Sequence, residues 1–168
     1  MSLSNTVVGD FDLYTIETGY MKLDGGAMFA VVPQTLWSRG IDADEKNRIS
    51  MTMRCLLIKS NNTGKVYLID NGVGTKFNDK MMNIYQIDFT HRELKKSLHH
   101  HVFSFEDITD IIFTHLHFDH CGGTTYFNDD GNIAYTFPNA TYHINKRHWE
   151  TATHPNAREQ ASFLTHNI

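Results

Sequence analysis

The chain has 168 residues, a hydrophobic content of 40%, a charged content of 20% and a formal net charge of -4. These values are typical of one globular domain and exclude a disordered or fibrous chain. Acidic and basic residues are interspersed without a basic stripe, so the sequence indicates neither nucleic acid nor an anionic membrane as a partner.

The cysteines and the apolar runs bear on the compartment. Cys55 and Cys121 form no CxxC pattern, and two thiols cannot form a disulfide framework, which favours a reducing compartment. No apolar run has the length of a membrane-spanning helix, and the N-terminus lacks a basic region followed by an apolar one. We therefore expect a cytoplasmic protein without a signal peptide.

The first part of the chain is predicted to be mainly β-structure. Alternating or β-rich patterns predict strands at Phe11–Lys22, Met51–Lys59 and Lys65–Ile69. The last two flank Asn61–Gly64, whose turn residues predict a hairpin. Between the first two strands, the apolar stretch Ala27–Pro33 precedes a polar excursion, Ser38–Asn47, that has room for a short helix.

The rest of the chain mixes helical and β patterns. Helical segments are predicted at Thr90–His101, Ser104–Asp107, Lys146–Ala152 and Asn156–Thr165. Strands are predicted at Ile108–Thr114, Ala134–Phe137 and Ala140–Ile144. Strands in hairpins, with helices added later, indicate a mixed α/β layered domain.

The segment Thr114–Gly123, THLHFDHCGG, contains the residues with the clearest chemical meaning. Side chains two residues apart at a strand end point the same way, so His115 and His117 can converge on one cation. If the chain then turns into a helix, Asp119 and His120 are redirected toward a neighbouring position. A histidine-rich turn held only by local hydrogen bonds would explain neither this alternation nor the glycine pair that follows.

Imidazole nitrogens with one carboxylate suit zinc, and also iron or manganese. Two adjacent divalent cations can share a water, lower its pKa to about 7 and present hydroxide to a carbonyl or phosphoryl centre. We therefore assign His115, His117, Asp119 and His120 as metal ligands and Asp119 also as the catalytic residue.

This HxHxDH motif after a β-rich run, with Asp70-Asn71-Gly72 upstream at a strand end, resembles the metallo-β-lactamase superfamily. Other matches resemble its lactonase and methyl-parathion-hydrolase-like branch. They are Gly25–Phe29, Val32-Pro33, Leu36-Trp37, Phe137–Ala140, Tyr142-His143 and Trp149. The metal motif is specific for the superfamily, whereas these other matches suggest only the branch.

The resemblance implies the N-terminal half of an αββα sandwich with a mixed, mostly antiparallel sheet. It assigns His115 and His117 to the first metal, and Asp119 and His120 to the second. The family also requires a third histidine, a bridging aspartate and a last histidine, which no segment between His120 and Ile168 supplies. We therefore expect residues 1–168 to form a single incomplete domain, completed by a missing C-terminal segment or by another chain, as in a homodimer.

Four further residues receive roles from the same resemblance. Asp70 would support the metal-binding loop by hydrogen bonds, although a plain turn aspartate is the alternative. Met28, Phe29 and Trp37 would line a substrate pocket that receives an acyl or aromatic group. Their alternative is core packing or a dimer contact.

The remaining candidates are interpreted as structural. Cys121 is expected to pack beside the turn rather than bind metal. Residues 99–101 are three consecutive histidines that cannot all face one ion in a helix, so we expect a solvated surface turn. Four further histidines stand alone in the sequence, and each is expected to be an ordinary polar or partly buried residue: His143, His148, His154 and His166.

These inferences predict a metal-dependent hydrolase with two divalent metals, which uses a metal-bound hydroxide on an ester, lactone or phosphotriester bond of a small molecule. The alternative is a non-catalytic metal-binding or interaction module formed by the half-domain. Oxygen-dependent redox chemistry is a third hypothesis, if iron occupies the site.

Overall fold

The computed structural model describes residues 5–167. Within this range the strands are β1 Thr6–Val8, β2 Phe11–Asp24, β3 Arg48–Ser60, β4 Val66–Ile69, β5 Asp110–Ile112, β6 Thr125–Phe127, β7 Ile133–Tyr135 and β8 Thr141–His143. The α-helices are α1 Gly25–Phe29, α2 Gln34–Trp37, α3 Asp79–Tyr85, α4 Leu94–His100, α5 Phe118–Cys121 and α6 Lys146–Thr153. Short 3₁₀ turns lie at Phe105–Asp107, Gly122–Thr124, Gln160–Ser162 and Thr165–Asn167.

Six strands form one mixed sheet in the order β1-β2-β3-β4-β5-β8. The pairs β1–β2, β2–β3 and β3–β4 are antiparallel, whereas β5 runs parallel to both β4 and β8. Strands β6 and β7 form a separate antiparallel hairpin. This mixed, mostly antiparallel sheet with helices confirms the α/β fold class predicted from the sequence.

One face of the large sheet packs against helices. Leu57, Leu68 and Ile111 lie beside one another through the strand register and are fully buried. They belong to the same apolar cluster as Leu98 of α4 and Ala152 of α6. Burial of this face accounts for the alternation that the sequence shows along β2 and β3.

The opposite face of the sheet carries a second row of apolar side chains. Leu56, Ile69 and Ile112 are aligned by the register, and Leu56 and Ile112 are 36% and 38% exposed. Ile58 and Tyr67 form the next row and are half-buried. This part-exposed apolar face is called the open face below.

Several sequence predictions are confirmed with shifted ends. The strand predicted at Phe11–Lys22, the hairpin around Asn61–Gly64 and the helix at Lys146–Ala152 are all present. Ser104 and Asp107 form the reciprocal hydrogen bonds of a capping box at the predicted turn. No helix within residues 5–167 is both long and apolar enough to cross a bilayer.

One helix prediction is wrong for a local reason, and two strand predictions are confirmed with shorter strands. Asn156–Thr165 is not an α-helix, because the Asn156 side chain accepts hydrogen bonds from the backbone N–H groups of Arg158 and Glu159 and so favours a turn. The predicted strands Ala134–Phe137 and Ala140–Ile144 are shorter, and they pair in different sheets.

Two further helices differ from the sequence prediction. The helix predicted at Thr90–His101 begins only at Leu94. Helix α3 was not predicted, although the Asn78 side chain caps it by accepting from Met81 N–H.

Candidate metal centre

The candidate centre lies where two parallel strands end at the same edge of the sheet. Asp70 directly follows β4, and Thr114 comes two residues after the end of β5. The backbone N–H of Asp70 donates to the carbonyl of Ile112 at 3.1 Å, which holds the two strand ends together. This pairing brings Asp70 next to the HxHxDH segment despite a separation of more than forty residues in sequence.

Three histidine rings of that segment lie against one another. The ring centroid of His115 is 4.6 Å from that of His117 and 3.9 Å from that of His120. The one-turn helix α5 causes this arrangement, since the N–H of His120 donates to the carbonyl of His117 at 2.9 Å. Asp119 lies in the same turn, with Oδ2 at 3.5 Å from Nε2 of His120.

The carboxylate of Asp70 accepts hydrogen bonds that fix this loop. Its Oδ1 accepts from the backbone N–H of Thr114 at 2.9 Å, and its Oδ2 accepts from the Thr114 hydroxyl at 2.7 Å. Nδ1 of His120 lies 2.8 Å from the same Oδ2. An ionised Asp70 requires the proton on Nδ1 of His120, which leaves Nε2 as the free lone pair.

The environment favours distinct protonation states among these groups. Burial, together with the neighbouring His120 and His117, lowers the pKa of His115 to about 4. Burial also lowers the pKa of His117. Burial works against the charged form of His120, but its hydrogen bond to Asp70 and the nearby carboxylates outweigh it and raise the pKa. His115 and His117 are therefore neutral at neutral pH, the state in which imidazole binds metals.

The donor groups form pairs rather than a complete ligand shell. Within residues 5–167, no three or more His, Cys, Asp or Glu side chains stand in positions that could hold one metal ion. The motif offers His115 with His117 and Asp119 with His120, two candidate ligands for each of two positions. A catalytic zinc site usually has three protein ligands, so each position lacks at least one.

The glycines after the motif allow two loops to touch. A Cβ on Gly122 would lie 2.1 Å from the carbonyl oxygen of Val73, and one on Gly74 would lie 2.2 Å from the carbonyl oxygen of Gly122. Gly74 also has φ of 68°, which favours glycine. The loop after β4 and the loop after α5 therefore pack backbone to backbone behind the histidines.

Lys76 ties the same two loops together and was not identified from the sequence. Its half-buried Nζ donates to the carbonyl oxygens of Gly122 at 2.6 Å and Thr125 at 2.5 Å. Burial lowers the pKa of this ammonium to about 8. A lone lysine after a glycine-rich turn carries no sequence signal for such a contact.

His148 lies closer to the centre than its interpretation as an isolated histidine implied. Its Nε2 accepts a 2.7 Å hydrogen bond from the backbone N–H of Leu116, the residue between His115 and His117. The His148 and His115 ring centroids are 6.0 Å apart. The helical pattern of α6 predicted the helix but not that this face would meet the motif.

Of the three residues predicted to line a substrate pocket, Phe29 and Trp37 pack against each other and Met28 is exposed. The Phe29 and Trp37 rings stack with centroids 5.0 Å apart, and Trp37 is buried against Gly25. Met28 is 43% exposed. None of the three lines the cavity of about 500 Å³ between the start of α4 and the β6–β7 hairpin, so their role in a substrate pocket stays a prediction.

The remaining candidates follow their structural interpretations with one exception. Cys121 is fully buried, its thiol donates to the carbonyl of Leu116 at 3.3 Å, and burial raises the pKa of that thiol to about 12. His143 binds Asp110 through Nε2 at 2.8 Å. His99 and His100 are exposed as expected, but His101 is half-buried with its ring 5.2 Å from that of Tyr14.

Comparison with known proteins identifies the family. The family model for the metallo-beta-lactamase superfamily matches residues 54–156. The chain therefore belongs to the metallo-β-lactamase superfamily. No curated protein matches the sequence.

Solved structures of hydrolases share the fold. A probable metal-dependent hydrolase from Staphylococcus aureus is 29% identical with a TM-score of 0.84, and the match covers 96% of this chain and 56% of that one. AidC, a dizinc quorum-quenching lactonase, is 24% identical with a TM-score of 0.67, and the match covers 98% of this chain and 56% of AidC. The hydrolase AbOPH is 20% identical with a TM-score of 0.68, and the match covers 97% of this chain and 53% of AbOPH. The chain thus spans little more than half the length of these proteins.

Proposed function

We propose that this chain is the N-terminal half of a metal-dependent hydrolase acting on an ester, lactone or phosphotriester bond of a small molecule. The observation that carries the proposal is the contact of three histidine rings at one sheet edge, beside Asp119 and braced by Asp70. Neutral imidazoles with a carboxylate form the donor set that zinc, iron and manganese accept, and zinc is our first assignment.

In this proposal His115 and His117 hold one cation, and Asp119 and His120 hold the second. When bound, divalent metals acidify water to supply hydroxide and polarise the substrate oxygen. The chain's own contribution is to hold the imidazoles of His115 and His117 neutral by burial and to orient the side chains of the motif. Asp70 orients His120 so that Nε2 rather than Nδ1 is the free ligand atom.

The bond class rests on similarity to proteins of known or inferred activity. The neighbours include a probable metal-dependent hydrolase and a dizinc lactonase that acts in quorum quenching. Met28, Phe29 and Trp37 are proposed to contact the acyl or aromatic part of the substrate. Met28 is exposed beside the stacked pair, which is compatible with such a contact.

The ligands that the motif does not supply are proposed to come from a further segment of the protein or from a second copy of the chain. Either would cover the open face formed by Leu56, Ile69, Ile112, Ile58 and Tyr67, as the second sheet of a layered αββα domain does.

The central test uses the full-length protein to which this chain belongs. Metal content is measured together with turnover of a lactone, an aryl ester and a phosphotriester. His115→Ala and Asp119→Ala are expected to reduce metal content and lower kcat/KM by at least about 100-fold, whereas the exposed His154→Ala serves as the matched control. Turnover that survives both site substitutions would reject the hydrolase proposal.

The open face also favours a second candidate, a non-catalytic metal-binding or interaction module. Part-exposed aliphatic side chains in one contiguous row are typical of a surface that another chain covers. This candidate predicts weak, substoichiometric zinc binding, no turnover and a mass in solution of two chains. Sedimentation of the wild type and of the Leu56→Glu variant would distinguish the hydrolase from the module. A wild type that is monomeric and catalytically competent would contradict the module.

A further inference from the structure

The residue between the two proposed ligands of the first metal is held at three points. Leu116, which lies between His115 and His117, is 2% exposed, and its side chain belongs to the apolar core cluster. Its carbonyl accepts from the Cys121 thiol at 3.3 Å. Its backbone N–H donates to Nε2 of His148 at 2.7 Å. The first two contacts come from the core and from the motif itself, whereas the third comes from a distant helix.

Helix α6 fixes where the side chain of His148 lies. His148 comes four residues before Ala152, so the two side chains lie on one face of the helix. Ala152 is 5% exposed and packs in the same core cluster as Leu116. The Asn145 side chain caps the helix by accepting from the N–H of Arg147. The anchored helix therefore holds the imidazole against the motif.

The imidazole of His148 also lies in an aromatic group beside the first metal position. Its ring centroid is 6.0 Å from that of His115 and 5.8 Å from that of Phe163. The Phe163 ring centroid is in turn 4.9 Å from that of His117. His148 and Phe163 thus lie next to both proposed ligands of this position.

The hydrogen bond from Leu116 fixes the tautomer of His148. A backbone N–H can only donate, so Nε2 of His148 must be an unprotonated acceptor, and the proton of the neutral ring lies on Nδ1. Nε2 of His148 is therefore occupied by a contact within the protein. It differs in this respect from Nε2 of His120, which the Asp70 contact at Nδ1 leaves free.

From these contacts we propose that His148 is a positioning residue of the metal centre, which holds the Leu116 peptide so that the imidazoles of His115 and His117 stay oriented toward one cation. This inference rests on the proposed function, because it takes the two histidines as ligands of the same metal. Groups that orient metal ligands usually contribute about 10- to 100-fold in metal affinity. His148 acts here through the backbone, whereas Asp70 acts through the ring of a ligand.

Two substitutions of His148 separate its hydrogen bond from its packing. His148→Phe keeps an aromatic ring and removes the acceptor. His148→Gln removes the ring and keeps an acceptor oxygen near the position of Nε2. His154→Phe, at an exposed histidine that ends the same helix, is the matched control.

Zinc affinity is measured by calorimetry on the full-length protein, and the side-chain nitrogen NMR signals of His115, His117 and His120 report which metal position fills. His148→Phe is expected to weaken zinc binding at the first position about 10- to 100-fold and to change the second by less than about threefold. His148→Gln is expected to restore the affinity of the first position to within about threefold of the wild type. His154→Phe should match the wild type at both positions.

Two measurements without metal test the contact itself. The side-chain nitrogen signals of wild-type His148 should show the proton on Nδ1. The backbone amide of Leu116 should exchange with solvent faster in His148→Phe than in the wild type, and His148→Gln should restore the slower exchange. If His148→Phe does not fold, the wild-type tautomer still decides, because a proton on Nε2 would exclude the acceptor role.

A packing role predicts the reverse order of the variants, with His148→Gln more damaging to zinc binding than His148→Phe, and that order would overturn the inference. Equal losses at both metal positions would also overturn it, as would nitrogen shifts showing that His148 itself binds zinc. Equal zinc binding by the wild type and His148→Phe would reject the role of His148 and leave the metal centre standing. A wild type that binds no zinc would instead reject the proposed function together with this inference.

Discussion

Replacing Asp70 with Asn changes one atom of a buried carboxylate and tests how the candidate centre is oriented. Oδ1 of the asparagine can still accept from Thr114 N–H, but its NH₂ group now faces both the Thr114 hydroxyl and Nδ1 of His120. A donor opposite Nδ1 requires that nitrogen to accept. The proton of the imidazole then moves to Nε2, the atom that we assign to the metal.

The magnitude follows from the bonds that change. One hydrogen bond to a charged group is lost or weakened while the other two can be remade, so the free energy of unfolding should fall by about 2 kcal/mol. The loss of the correct tautomer and of the carboxylate behind it should weaken zinc binding about 10- to 100-fold. Asp70 is not one of the four proposed ligands, so both changes would act through His120.

The assays are urea unfolding, zinc titration by calorimetry and nitrogen NMR of the histidine side chains without metal. Wild-type His120 is expected to carry its proton on Nδ1, and the Asp70→Asn variant to carry it on Nε2. Asp110→Asn is the matched control, because Asp110 is another buried aspartate paired with a histidine, at 2.8 Å, away from the centre. An unchanged His120 tautomer in Asp70→Asn, or equal zinc losses in both variants, would refute the reasoning.

Three more predictions concern stability. Hydrogen bonds from Thr114 and His120 outweigh burial and hold the pKa of Asp70 below its ordinary value, while that of His120 is raised. The stability that Asp70 contributes should therefore be lost as the pH falls through its lowered pKa, and the stability that His120 contributes should be lost as the pH rises through its raised pKa. Urea unfolding measured across pH would show both losses. The Asp70→Asn variant should show a flatter dependence of stability on pH. Gly122→Ala should cost about 3 kcal/mol or more, because its Cβ meets backbone that cannot move freely. Lys76→Met should cost about 1–3 kcal/mol, since two inward carbonyl oxygens lose their donor. Thermal and urea unfolding measure both substitutions.

Each of these has a control and a contrary result. A pH profile of unfolding that is the same in the wild type and in Asp70→Asn would contradict the assignment of both arms to this pair. Gly40→Ala, where a Cβ meets open space, should change stability little, and an equal loss at Gly122 and Gly40 would contradict the clash. Lys80→Met at an exposed position is the control for Lys76, and a wild-type unfolding midpoint for Lys76→Met would show that the two carbonyl contacts contribute nothing.

The sequence by itself determined those features that depend on neighbours a few residues apart. Apolar alternation in Phe11–Lys22 placed a long strand, because successive side chains of a strand point to opposite faces. The turn residues Asn61–Gly64 placed the β3–β4 hairpin for the same local reason. The HxHxDH spacing grouped the histidines, since two-residue and one-turn offsets fix which side chains lie together.

Only the tertiary structure decided the contacts between distant segments. Asp70 lies 50 residues from His120, and His148 lies 32 residues from Leu116, so no periodicity relates either pair. They meet because β4 and β5 are parallel and end at one edge, and because α6 packs back over the sheet. The burial of Asn71 depends on the same long-range packing, which the burial of apolar surface drives without leaving a local pattern in the sequence.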